Sequence, residues 1–239
     1  MKDVFGKALA GYFNKDLTPY LVQRDDGLID EQDIGLYFTK YSQWKDYEKE
    51  VLKYAKGKAL DIGAGAGRHT LYLQNRGLEV HAIDISPLAV EVMKKREVKN
   101  AFVMDFKKLN FPDNHFDSIL MMFNNFGLAG SIKATKKFLK TLNKISAPKG
   151  MIITTIRDPY QTDDPRHLAY HKKNRKAGKP IGQVKIRIEY NDETGDWFSL
   201  LMVSPDELKD LIKDTGWRIL KIIKGGDGNY GAVLEKLSN

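Results

Sequence analysis

The stretch Ala59-Leu60-Asp61-Ile62-Gly63-Ala64-Gly65-Ala66-Gly67-Arg68 constrains the fold of this chain more than any other. It reads as a buried strand with one carboxylate near its end, a tight glycine turn, and the start of a helix, which together open a β–α unit. The rhythm continues downstream. Apolar runs at residues 80–83, 101–104, 118–123 and 151–156 read as further strands. Helices are expected to begin near Ala66, Pro87 and Ser131. Ala66, Thr70 and Leu73 share one face of the first, and Gly77 ends it. Ser86-Pro87 supplies a cap and a first-turn proline for the second, and Phe138, Leu142 and Ile145 give the third a buried stripe. Strands separated by helices imply an α/β fold: a mostly parallel sheet, right-handed crossovers, helices on both faces.

The last third changes character. Residues 157–179 are polar and basic with no sustained period. Residues 184–190 alternate apolar and charged side chains and can pair with 197–203 across Asn191-Asp192-Glu193-Thr194-Gly195 as a hairpin. Ser204-Pro205-Asp206-Glu207 is a capping box with proline at the first helical position. The strands expected at 217–223 and 230–237 are joined by Gly225-Gly226-Asp227-Gly228-Asn229, too short for a crossover helix, so they must be antiparallel neighbours. Upstream, residues 1–56 read as helical and aromatic-rich. Trp44, Tyr47, Val51 and Tyr54 recur at helical spacing with Gly57 as the stop, and Tyr37, Phe38 and Tyr41 cluster either as packing on the sheet or as a lid.

With 239 residues and 42% hydrophobic content, the chain can bury the core of one sizeable domain. Cysteine is absent, which excludes disulfides, thiolate metal sites and cysteine nucleophiles; no histidine and carboxylate spacing suggests another metal site. The first seven residues lack the apolar core of a signal peptide, and no apolar run approaches the roughly 20 residues of a membrane span, so a cytoplasmic protein is expected. The formal net charge of +8 fits a lysine-rich solvated surface, or attraction for nucleic acid, anionic lipid or an acidic substrate.

Carboxylates at three successive strand ends, Asp61, Asp84 and Asp105, can bind a ligand that presents hydroxyls and an amine. Gly63, Gly65 and Gly67 let a ligand approach the backbone, but Arg68 stands where the third glycine of a dinucleotide fingerprint would fall. Asp61 would also repel a pyrophosphate, whereas a cationic amino-acid tail removes that conflict. S-adenosylmethionine, with a sulfonium and an ammonium, is therefore favoured over a nicotinamide dinucleotide. Asp84, about twenty residues beyond the glycines, suits the ribose hydroxyls, although it can also serve the helix beginning at Pro87. Asp105 can accept from the adenine amine and the Phe106 N–H can serve a ring nitrogen; a turn-forming role for Asp105 is the alternative.

These motifs resemble the class I S-adenosylmethionine-dependent methyltransferases. Leu60-Asp61-Ile62-Gly63-Ala64-Gly65-Ala66-Gly67 matches that family's first motif, and Val80-His81-Ala82-Ile83-Asp84-Ile85-Ser86 its ribose-binding strand end. Leu109-Asn110-Phe111-Pro112-Asp113-Asn114-His115-Phe116-Asp117 is similar to its approach to the fourth strand, and Ser204 through Trp217 to its late helix and strand. The resemblance implies a Rossmann-like sheet of seven strands in the order 3-2-1-4-5-7-6 with strand 7 reversed. It covers about 44–156 and 202–237, and the single domain is read as an N-terminal lid (1–56), a cofactor-binding half (57–156), a substrate-side insertion (157–203) and a C-terminal helix with two strands (204–239). Expected cofactor contacts are Asp61, Gly63, Ala64, Gly65, Gly67, Arg68, Asp84, Ile85, Asp105, Phe106 and Asn124.

In that family the end of the fourth strand faces the methyl group. Here it reads Phe123-Asn124-Asn125-Phe126-Gly127-Leu128, in which Asn124 or Asn125 can hold the cofactor, orient a substrate or cap the loop, and it lacks the Asn/Asp-Pro-Pro-Tyr/Phe signature of enzymes that methylate nucleobase amines. A small-molecule acceptor is therefore favoured, anionic if the basic segment serves it. His167, His171 and Tyr190 are weak candidates for a catalytic base, with Tyr160 and Tyr170 similar; His69, against the glycine turn, reads as a packing or cofactor contact. The basic residues of 166–187 leave an RNA methyltransferase as one alternative, and a cofactor-binding protein without turnover as another.

Overall fold

The computed structural model describes residues 2–237. The chain enters through α1 (Val4–Phe13), capped by the Asp3 carboxylate accepting from Gly6 N. The next stretch is not helical. β1 (Tyr20–Arg24) and β2 (Ile29–Gln32) form an antiparallel hairpin before the short helix α2 (Asp46–Leu52). The expected helical N-terminal segment thus also carries two short strands, which run too briefly to stand out from their aromatic, helix-like surroundings.

The β–α rhythm then follows as β3 (Lys58–Ile62), α3 (Arg68–Asn75), β4 (Glu79–Asp84), α4 (Pro87–Lys95), β5 (Asn100–Val103), β6 (Phe116–Met121), α5 (Ile132–Ile145) and β7 (Ser146–Arg157). Next come α6 (Pro165–Lys176), β8 (Gln183–Tyr190), β9 (Glu193–Thr194), β10 (Phe198–Leu201), α7 (Pro205–Leu211), β11 (Trp217–Lys224) and β12 (Asn229–Lys236). The seven-stranded sheet has the order β11-β12-β7-β6-β3-β4-β5. β12 runs antiparallel to both its neighbours and β3 to β7 are parallel, which is the 3-2-1-4-5-7-6 arrangement with strand 7 reversed. Its middle strands are buried on both faces. On β6, Ile119 and Met121 pack with Phe138, Leu139 and Leu142 of α5, while Leu120, with Met122 just past the strand, packs with Val51 and Leu52 of α2 and Leu73 of α3. That is why these strands read as continuous apolar runs.

The parallel register sets the carboxylates. Asp61 pairs with Ala82, Asp84 lies two residues past Ala82 and pairs with Val103, and Asp105 lies two residues past Val103. A step of two keeps Asp61 and Asp84 on one face of the sheet.

A second, all-antiparallel sheet has the order β10-β8-β1-β2, with β9 paired to β8. The expected hairpin forms its β10 edge: Phe198 pairs with Ile186 and Leu201 with Gln183. The N-terminal β1 joins it through Leu21 opposite Glu189 and Arg24 opposite Ile186. The segment read as aperiodic carries α6, capped by Asp164 with Pro165 at its first position. Its inward face is polar, made of Tyr170, His171 and Asn174, so no apolar period announces it. No helix among the described residues is long and apolar enough to cross a membrane.

Candidate cofactor and acceptor site

The carboxyl ends of β3 to β6 open beneath the second sheet on a cavity of about 470 Å³. Its floor is the glycine turn and the strand-end acids. Asp61 is buried and its Oδ2 accepts from Thr70 Oγ1 at 2.7 Å. Burial raises its pKa above the usual carboxylate value. Asp84 is also buried; its Oδ2 accepts from Gly65 N and its Oδ1 from Ser86 N, each at 2.9 Å. Burial outweighs those two bonds and pushes its pKa up as well. Asp105 lines the cavity while its Oδ1 accepts from Lys107 N at 2.9 Å, so it forms its own turn and still faces the site.

Gly63 and Gly65 both hold left-handed backbone, with φ +70° and +56°. A Cβ on Gly63 would come 2.6 Å from Asn125 Nδ2, the group that donates to the carbonyls of Ile62 and Gly63 at 2.9 and 3.0 Å. A Cβ on Gly65 would meet nothing nearer than the Tyr37 ring at 3.6 Å, so the turn presents bare backbone. Gly63, Ala64, Arg68, Ile85 and Phe106 line the cavity with the three acids. Gly65 sits behind Asp84, and Gly67 packs beneath the turn against Val98 and Met93; neither lines it.

The structure places Asn124, expected among the cofactor contacts, off the cavity lining. Phe123 and Asn124 break away from β6 in left-handed backbone, φ +52° and +67°, fixed by Phe123 N to Thr155 Oγ1 and Asn124 N to Thr155 O at 2.9 Å each. The Asn124 side chain then turns away and accepts from Arg157 N at 2.7 Å, and Asn125 takes its place at the cavity. The three weak base candidates are also elsewhere. His167, on α6, has Nδ1 2.9 Å from Arg24 Nη1. His171 is buried on the same helix, and burial lowers its pKa. Tyr190 donates from its hydroxyl to Asp16 Oδ2 at 2.6 Å, and burial pushes its pKa to about 12. Tyr160 bonds Glu207 and Tyr170 bonds Asp25. None of these five lines the cavity, and neither does any residue of the basic segment 166–179.

Two groups escaped the sequence reading. One is Glu48, on α2. It is buried, its carboxylate is paired with the Arg68 guanidinium, and its Oε1 lies 2.6 Å from His69 Nε2. Arg68 in turn donates to Thr39 Oγ1 at 2.7 Å and lies over the Trp44 ring at 4.3 Å and the Phe123 ring at 4.9 Å. Burial pushes Glu48 up, but His69 and Arg68 together hold its pKa below the usual value. A helical wheel carried the signal: Glu48 follows Trp44 by four and precedes Val51 and Leu52 by three and four, on the buried face. The other is the roof. Tyr20 and Val22 of β1, Ile186 and Ile188 of β8, and Phe198 and Leu200 of β10 face the floor, beside Phe5 and Trp197. Tyr20 and Tyr37 meet hydroxyl to hydroxyl at 3.3 Å, and burial raises both phenols.

Bare backbone beside acids that keep unused acceptor sites suits a ligand with hydroxyls, an amine and positive charge. A family model described as a methyltransferase domain matches residues 60–154. The crystal structure of an S-adenosylmethionine-dependent methyltransferase from Bacteroides fragilis, in complex with S-adenosyl-L-homocysteine, is similar with a TM-score of 0.84. It is 32% identical, over 99% of this chain and 96% of that one. The demethylmenaquinone methyltransferase of Tropheryma whipplei is 26% identical over 196 residues, 79% of this chain and 78% of that protein. That of Renibacterium salmoninarum is 31% identical over 170 residues, 67% of this chain and 66% of its own length. With the reversed seventh strand, the acid-lined glycine turn and a full-length relative holding the spent methyl donor, this chain belongs to the class I methyltransferases, enzymes that take S-adenosylmethionine as cofactor.

Proposed function

We propose that the enzyme methylates a small, apolar ring compound of the phenol or hydroquinone type, held between the glycine turn and the antiparallel roof. The observation that carries this reading is the roof: Val22, Ile186, Ile188, Phe198 and Leu200 project from three paired strands over the strand ends. Such a surface excludes water and grips a ring by area and shape rather than by charge. The demethylmenaquinone methyltransferases among the relatives act, by name, on a quinone of this kind. Against an RNA acceptor stands the placement of the basic segment, which lies away from the cavity.

In this reading Asp84 holds the ribose hydroxyls, Asp105 and the Phe106 N–H hold the adenine, and Asp61 and the backbone at Gly63 face the cationic tail. The residues fit that donor, since both buried acids are raised in pKa and gain from a neighbouring cation. When bound, S-adenosylmethionine supplies a methyl activated by a sulfonium that leaves with the bonding electrons. The chain orients the acceptor for in-line approach and removes water, so positioning carries much of the rate. The test offers labelled S-adenosylmethionine to the purified protein with naphthohydroquinones, catechols, phenols and, separately, transfer RNA. Label is expected in the ring compounds. Label in RNA, lost when Lys172, Lys173 and Arg175 are neutralised, would overturn the reading.

A further inference from the structure

The cavity holds several ionisable groups, and nearly all are committed elsewhere. The Asp3 carboxylate accepts from Gly6 N, Ser86 Oγ and Leu88 N. Asp61, Asp84 and Asp105 are held as described, Tyr20 and Tyr37 are raised phenols that stay neutral donors, and Lys2, Arg68 and Lys107 are cations. Asp196 is exposed. His69 is different, and among the described residues it is the one imidazole that lines the cavity.

Its two nitrogens have unequal surroundings. Nε2 lies 2.6 Å from Glu48 Oε1, a distance that requires a proton between them. Arg68 Nη1 stands 2.9 Å from the same nitrogen, but a guanidinium only donates and itself bonds both oxygens of Glu48. In the neutral ring the proton therefore sits on Nε2 and the lone pair on Nδ1. Among the described residues Nδ1 has no hydrogen-bond partner. It is not sealed off either: among the described residues the one fully enclosed side-chain nitrogen or oxygen without a partner is Thr135 Oγ1. The Trp44 and Phe123 rings, with centroids 4.9 and 5.2 Å away, confine the imidazole. The charged groups around it are Glu48 from α2, Arg68 from its own helix and Asp61 from β3.

We propose that His69 is the general base of the reaction and Glu48 its positioning residue. The inference rests on the acceptor class argued above. The acceptor's acidic proton passes to Nδ1, the electron pair of that bond stays on the acceptor and makes the new bond to the methyl carbon, the carbon–sulfur bond of the donor would break with its pair kept on the sulfur, and the imidazolium then releases the proton to solvent. Glu48 fixes the tautomer and stabilises the imidazolium, the familiar carboxylate–histidine division of labour.

The test has two readouts, one of which needs no acceptor. Nitrogen-15 spectra of the complex with S-adenosylhomocysteine are expected to show neutral His69 protonated at Nε2. Glu48→Gln is expected to perturb that signal. A proton on Nδ1 instead overturns the proposal even if no acceptor has been found. With the best ring acceptor, His69→Ala is expected to lower kcat by about 100-fold or more. With S-adenosylmethionine saturating, it should also abolish the fall in kcat/KM for the acceptor on acidification, be partly rescued by added imidazole, and leave S-adenosylhomocysteine affinity within about threefold by calorimetry. His69→Gln, which keeps a donor toward Glu48, guards against loss of fold. A rate loss matched by an equal loss of cofactor affinity, with the pH profile unchanged, would make His69 a cofactor holder and overturn the proposal. An unchanged rate would overturn it too, whereas absence of any ring acceptor tells against the acceptor class alone.

Discussion

Gly65 N donates to Asp84 Oδ2 at 2.9 Å, so the turn that follows β3 and the acid that ends β4 are held as one unit. The bond leaves lone pairs on both carboxylate oxygens, because each accepts a single N–H. The same residue therefore shapes the turn and lines the cavity.

Replacing Asp84 removes both services. Hydrogen bonds to a charged group contribute roughly 1.5–3 kcal/mol each. Asp84→Ala is thus expected to weaken S-adenosylhomocysteine binding by about 100-fold or more in calorimetry, and Asp84→Asn by about 10-fold. Circular dichroism should confirm the fold of both. Wild-type affinity in the Ala variant would remove Asp84 from the binding site.

The roof makes a different prediction. Trp197 lines the cavity at 38% exposure, with the Arg187 guanidinium 4.8 Å from its ring. Little of the core depends on it. Trp197→Ala is expected to raise KM for the ring acceptor by about 10-fold, a loss in the range of one apolar pocket contact, while cofactor affinity holds. An unchanged KM with a fallen cofactor affinity would place the acceptor elsewhere.

Much of this was legible in the sequence because its causes are local. Glycines at alternate positions, acids at strand ends, a proline-led capping box and a connection too short for a crossover each carry their own geometry, and the central sheet followed from them. The second sheet was half legible. Its β8 and β10 hairpin shows as alternation across a turn, but β1 joins β8 from more than 160 residues away, and nothing in Tyr20–Arg24 names its partner. Asn124 and Asn125 could not be told apart, because the choice rests on two left-handed residues held by Thr155 on the neighbouring strand. The buried polar face of α6 hid a helix, and the histidines it carries read as candidate bases only while their surroundings were unknown.

Gly127 ties the two sheets together. A Cβ there would lie 1.9 Å from Leu201 O, at the end of β10. Backbone of that kind cannot move aside, so Gly127→Ala is expected to push β10 off the strand ends. Overpacking of this sort costs about 1–3 kcal/mol, or a Tm drop of several degrees for a chain of this length. Acceptor turnover should fall with it. Gly226→Ala, where a Cβ meets nothing within 4 Å, should change Tm by less than about 1 °C. Equal melting curves for the two variants would mean that the roof is not seated on this loop.

The raised acids predict how binding depends on pH. Burial lifts Asp61 and Asp84 above their unfolded values, so the folded protein holds these protons more tightly than the unfolded chain. Their contribution to stability is therefore fully present below the unfolded pKa and is lost as pH rises through the folded one. Mild acid does not unfold the free protein through them. The cofactor reverses the balance, because a cation beside a buried carboxylate favours the ionised form. Binding should expel the proton where one is held, and S-adenosylmethionine affinity should rise as pH climbs above the ordinary carboxylate range. Calorimetry in buffers of different ionisation enthalpy reads the proton release directly. Asp61→Asn, which keeps the shape and removes the charge, should reduce both the release and the slope. A flat affinity over that rise in pH, with no proton released, would mean that the positive tail lies away from Asp61 and that the acids serve the turn alone.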